Sequence, residues 1–191
     1  YYFCDIKSIH MKTKYFLSLF MLTAISAMMF LNSCSSLKTI SIHKNYENVD
    51  FVIPSPQAAG VITIEEEVET DLQDLASTNG FDISKIESAS VNSITLNIVD
   101  TDPMPVTYDI VDNIVCSFMA DGVTVAEVGY NQAVKTSPTQ MNFDLKGIDV
   151  AQYLKATKFK VIMKITTNAA ITHDVPMKAS IDCVFKVKPF K

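Results

Sequence analysis

The chain reads as an all-β protein, an antiparallel β-sandwich of immunoglobulin-like type with about seven or eight strands and one or two short helices. Three observations lead there. Segments of eight to eleven residues alternate apolar and polar side chains, the period of a half-buried strand. Turn residues separate these segments at short intervals. Of 191 residues, 48 % are hydrophobic and 19 % charged, which supplies one globular core and excludes disorder, collagen and coiled coil. A small closed barrel is the alternative architecture.

Leu37–Pro56 reads as a tether ending in a strand or loop, with Pro54-Ser55-Pro56 as punctuation. Gly60–Glu69 (GVITIEEEVE) alternates and is rich in β-branched residues. A helix follows: Thr70 is placed to cap it, Gln73 to complete a capping box, Leu72, Leu75 and Ala76 to form its apolar stripe, and Gly80 to stop it. Ser90–Val99 sets Ile94, Leu96 and Ile98 on one face, and Asn113–Ala120 does so with Ile114, Cys116 and Phe118. Asp121-Gly122 predicts a two-residue hairpin turn with positive φ at both residues, returning along Val123–Tyr130. Gln140–Leu145 is a further strand. Lys158–Thr166 buries Phe159, Val161, Met163 and Ile165, leaving Lys158, Lys160 and Lys164 on the opposite face. Met177–Val187 closes the series. Phe81-Asp82-Ile83, Tyr108-Asp109-Ile110 and Ile148-Asp149-Val150 read as single-turn plugs closing the sandwich ends, with Asp as cap.

The N-terminal segment is an address. Met11-Lys12-Thr13-Lys14 is a short positive start, Tyr15–Leu31 an apolar core, and Leu31-Asn32-Ser33-Cys34 follows at once. The last four residues resemble the lipobox of bacterial lipoproteins, although Asn32 is less usual at its position. The resemblance implies that Cys34 becomes the first mature residue and carries the lipid. An uncleaved membrane helix is the alternative, but 17 apolar residues are at the low edge for spanning a bilayer. The expected organisation is therefore 1–10 upstream of the true start, 11–33 signal peptide, 34–56 lipidated tether and 57–191 sandwich. Ser35 after the cysteine implies the outer membrane by the same resemblance, and the lack of acidic residues beside it implies the periplasmic face. The chain is similar to small outer-membrane lipoproteins that carry a β-sandwich domain, in rhythm rather than motif.

Charge is distributed unevenly. Every basic side chain apart from histidine is lysine. Residues 34–134 hold 3 lysines and 16 acids, whereas residues 135–191 hold 10 lysines and 4 acids. Complementary neighbouring strands explain this most simply; a face of Lys158, Lys160 and Lys164 for an acidic partner is the alternative. An acidic chain without arginine is a poor nucleic-acid binder, so no nucleic acid is expected.

Candidate chemistry is sparse. Cys116 and Cys183 point inward and read as buried thiols, with an inter-sheet disulfide as the alternative. Glu65, Glu67 and Glu69 share a strand face, read as solvated or lysine-paired. Asp100, Asp102, Asp109 and Asp112 lack the ordered spacing of a calcium loop. His173 reads as a polar loop residue. No GxSxG, HExxH or CxxC occurs, and no cofactor is expected. The expected function is a non-enzymatic, lipid-anchored module that binds or scaffolds an envelope protein or glycan. The alternative is surface capture of a glycan or host ligand by loops Asp100–Tyr108, Asn131–Pro138 and Asn168–Pro176.

Overall fold

The computed structural model describes residues 39–132 and 137–188. Among the described residues nine strands run in order: β1 (Ile40–Ile53), β2 (Gly60–Glu69), β3 (Ile86–Ile98), β4 (Val111–Ala120), β5 (Val123–Asn131), β6 (Gln140–Asn142), β7 (Asp144–Leu145), β8 (Lys158–Thr167) and β9 (Val175–Val187). Helix α1 (Leu72–Asn79) joins β2 to β3, and the short α2 (Ala151–Leu154) precedes β8. One sheet has the order β1-β9-β3-β6 and the other β2-β8-β4-β5-β7, with every pairing antiparallel.

The chain doubles back at Asp121-Gly122. From that turn β4 pairs with β5, β3 with β6, β2 with β8 and β1 with β9, as in one very long hairpin. The hairpin then rolls up, so that β9 also pairs with β3 and β8 with β4. This is the double Greek-key order of a jelly roll. The sandwich is thus the predicted one and no barrel closes. The jelly-roll connectivity replaces the immunoglobulin-like order that was expected, because alternation reports which face of a strand is buried and is silent on which strand lies beside it.

The rolled hairpin explains the charge asymmetry. Acids of the first half meet lysines of the second across the ladders: Glu65 with Lys160, Glu67 and Glu69 with Lys158, Asp50 with Lys178, Glu87 with Lys188, and Glu127 with Lys146. Between the sheets, Leu96, Ile114, Phe118, Val161, Ile181 and Phe185 are fully buried. Phe118 centres an aromatic group, with its ring centroid 4.9 Å from Phe159 and 6.3 Å from Tyr153. The tyrosine hydroxyls that enter this core donate to backbone carbonyls: Tyr46 to Thr70, Tyr108 to Leu96 and Tyr153 to Thr124.

Four local expectations are corrected. Residues 40–53 are not a tether: they form β1, the outer strand of the first sheet. Thr70 does not cap α1, because its hydroxyl donates to the carbonyls of Ala156 and Thr157; Asp71, at φ 46°, stands at the helix start instead. Only Gly122 of the hairpin turn has positive φ, at 72°. At the Tyr108 plug the amide of Asp109 is capped by Thr107, not by an aspartate. Gly80 does stop α1, with φ 69°.

The two open strands at one side of the sandwich are blunted. β1 carries a bulge between Tyr46 and Val49, where Asn48 has φ 56°. Lys44 and Glu66 place charges in inward-pointing slots of β1 and β2. Both devices oppose pairing with a foreign strand. Replacing Phe118 with alanine is expected to cost about 3–5 kcal/mol of stability, the range for emptying a buried aromatic site, as read by chemical denaturation.

Candidate functional site

The connections between strands gather at two opposite ends. Ile40, Ile86 and Val187 lie side by side at one end, so the chain enters and leaves the sandwich there. The other end is built from the β1–β2, β3–β4 and β8–β9 loops and the described residues of the β5–β6 loop. The three loops singled out from the sequence are therefore neighbours. Val99 N–H donates to Pro176 O, Ile98 N–H to Thr139 O and Tyr108 N–H to Pro138 O. Gln57 and Ile171 exchange both backbone hydrogen bonds, which adds the β1–β2 loop to the group.

Asp100 organises this end. Its side chain is 4 % exposed. One carboxylate oxygen accepts from the Asp102 amide at 3.0 Å; the other accepts from the Val106 amide at 2.8 Å and lies 2.7 Å from His173 Nε2. Asp102 in turn accepts from the Met104 amide at 2.9 Å. Burial works to raise the Asp100 pKa, but the bonds from His173, Asp102 and Val106 outweigh it and bring it to about 2. The hydrogen bond to Asp100 raises His173, with the nearby charges of Asp100, Asp102 and Asp174 acting the same way. Asp174 also takes the Ser55 amide at 2.7 Å, so adjacent residues of one loop hold two others. Sequence reasoning placed the loops together but missed this clamp: Asp100 and His173 are 73 residues apart, and no local signal links them.

The other singled-out residues are not brought to a site. Lys158 and Lys160 are engaged by glutamates at 2.8 Å and 2.6 Å, and those hydrogen bonds raise both lysines. Lys164 stands on the same outer face, opposite Thr63 and Val115. Glu65, Glu67 and Glu69 are the partners of this lysine face. Asp109 sits by Thr107, and Asp112 accepts from Asn168. Among the described residues no group of three or more acids, histidines or cysteines is arranged to hold a metal. Cys116 on β4 and Cys183 on β9 are free and buried. Burial pushes Cys183 up to about 12 and Cys116 higher, so neither offers a thiolate at neutral pH. His43 lies on β1 with Nδ1 3.4 Å from Asp182. Cys34 and the signal-like segment fall outside the described residues.

No family model matches the chain, and no curated protein matches it. Some solved structures are loosely similar to the chain at low identity. A structure of infectious bursal disease virus Gx strain is 14 % identical over 75 % of this chain and 32 % of its own, with a TM-score of 0.38. The chain thus spans about a third of that relative's length. Turnip yellow mosaic virus is 16 % identical over 78 % of this chain and 94 % of its own, at TM-score 0.30. A carbohydrate-binding module of the β-sandwich superfamily is 10 % identical over 73 % and 54 %, at 0.29.

Two outcomes follow from the geometry. Asp100 lies below its ordinary 3.8, so its contribution is present above that pH and is lost as pH falls through about 2. His173 lies above its ordinary 6.5, so its contribution is complete below 6.5 and is lost as pH rises through the raised value. Protection of the Asp102 and Val106 amides against hydrogen exchange, corrected for intrinsic rate, is expected to peak between these limits and fall on the alkaline side. His173→Gln should abolish that alkaline fall. On the lysine face, Lys160→Glu is expected to lower Tm through repulsion with Glu65 and Glu67, and the deficit should shrink in about 0.5 M salt, where exposed charges are screened.

Proposed function

We propose that this chain is a lipid-anchored envelope protein that binds or scaffolds a partner through its loop end and carries out no catalysis. The observation that supports it most is directional. Ile40 follows Cys34, the last residue of the lipobox-like Leu31-Asn32-Ser33-Cys34, by only six positions, a reach of about 20 Å when fully extended. The chain therefore joins the sandwich at the end where Ile40, Ile86 and Val187 meet. The 14 residues of β1 then span about 45 Å to the loop end. A lipid on Cys34 would hold the first end near a bilayer and turn the loops away from it.

Several acyl chains together make a stable anchor, since each buried CH₂ contributes roughly 0.8 kcal/mol. Ser35 favours the outer membrane, and the residues after it favour the periplasmic face, by resemblance to known sorting patterns. A protein partner is favoured over a glycan. The loops at the far end carry no exposed aromatic ring among their described residues, so a sugar would find no stacking surface there.

Intact mass of the membrane-extracted protein is expected to show a mature chain beginning at Cys34 with added acyl mass. Cys34→Ala should move the protein from the membrane to the soluble fraction. An unmodified Cys34, or a variant that stays membrane-bound, would overturn the anchor. Protease added to intact cells should spare the domain, and cleavage before lysis would place it on the surface instead.

A further inference from the structure

Four of the six large apolar side chains most exposed among the described residues, Val52, Val61, Val99 and Met104, lie toward the loop end. Three of them form one feature. Val52 on β1 is opposite Pro176 on β9, and Val99 donates its N–H to Pro176. They make an apolar row across the outer rim of the first sheet, with Val52 49 % and Val99 38 % exposed. The chain then rises from Val99 into a tip that presents Met104 at 83 % exposure.

That tip is built rather than slack. Pro103 and Pro105 fix φ on either side of Met104 and restrict the residues before them. Three amides of the tip, those of Asp102, Met104 and Val106, are each taken by an aspartate. The ordering entropy of a displayed side chain is thus already spent before any partner arrives. Methionine adapts to irregular apolar pockets and is common at binding surfaces.

Two acids, Asp102 and Asp174, are exposed beside the tip, and Lys178, which shares the outer face of β9 with Pro176, is paired with Asp50 at 3.1 Å. An anionic membrane surface would be repelled by this rim. A second copy meeting it about a two-fold axis would bring like charges together. We propose that the Val52–Pro176–Val99 row and Met104 dock a protein partner whose matching surface is an apolar pocket edged by lysine or arginine, with Met104 inserted. The proposal rests on the loop end being the binding end of the anchored protein.

The test is photo-crosslinking in the cells that make the full chain. A benzophenone-bearing residue is placed at position 104 and, in a second strain, at position 125, where Val125 is exposed away from the loops. The expected result is an adduct with another protein from position 104 and none from position 125. Its crosslinked peptide should carry apolar residues flanked by lysine or arginine. Thr101→Lys combined with Thr172→Lys adds positive charge beside the tip. Neither threonine side chain makes a hydrogen bond in the structure, and both are exposed. The adduct should fall about tenfold in that variant, with Tm unchanged. The proposal is overturned by an adduct with lipid only, by an adduct with a second copy of the chain, by no adduct, or by an adduct indifferent to the added lysines. Acyl mass on Cys34, read from the same cells, separates failure of the rim from failure of the anchor.

Discussion

Everything in this molecule depends on the two halves of the chain pairing about Asp121-Gly122. Once β5 lies against β4, the later strands have few places to go. β6 reaches β3, β8 reaches β2, and β9 reaches β1, each antiparallel to its partner. Rolling that double ribbon buries one whole face of β4, β8 and β9 and creates the β9–β3 and β8–β4 contacts that close the core. The acids of the first half and the lysines of the second are then neighbours by construction. Exposed ion pairs contribute little each, so their value lies more in disfavouring wrong registers, where like charges would face each other.

The same pairing decides what is at each end. Strand reversals alternate between ends, so the even separation of four loops from the chain's point of entry is a property of the roll, not of any loop sequence. The loops contribute the chemistry. Asp100 leaves β3 with its carboxylate turned inward, and its bonds convert a proline-rich connection into a fixed tip. His173 and Asp174, adjacent on the β8–β9 loop, carry that order to the β3–β4 and β1–β2 loops. The loop end thus behaves as one surface although it is assembled from four separate stretches of chain.

The sequence revealed faces better than neighbours. β8 and β9 were legible because their alternation is unbroken over ten and thirteen residues with one face fully buried. β1 was not: it is an edge strand, its polar face carries Asn45, Glu47 and Asp50, and the bulge at Asn48 breaks the period midway. Thr70 had the spacing of a cap, but tertiary partners at Ala156 and Thr157 outcompeted the helix for its hydroxyl. Complementary neighbouring strands were the simpler reading of Lys158 and Lys160, and β2 beside β8 supplies their partners Glu67 and Glu65. The loop cluster was legible from its prolines and asparagines, which mark connections. The Asp100–His173 contact was not, because a buried aspartate and a surface aspartate are the same letter.

Entry and exit of the chain at one end also set how the domain bears force. Suppose tension runs from the residues before Ile40 to a partner held at the loop end. It then acts along β1, parallel to the strand. The β1–β9 hydrogen bonds are loaded in shear, all at once, and must fail together. Tension between Ile40 and Val187 would instead open that pair first and peel the ladder one rung at a time. Loaded between Ile40 and the loop end, the domain would therefore resist a pull to which it would yield readily if loaded between Ile40 and Val187.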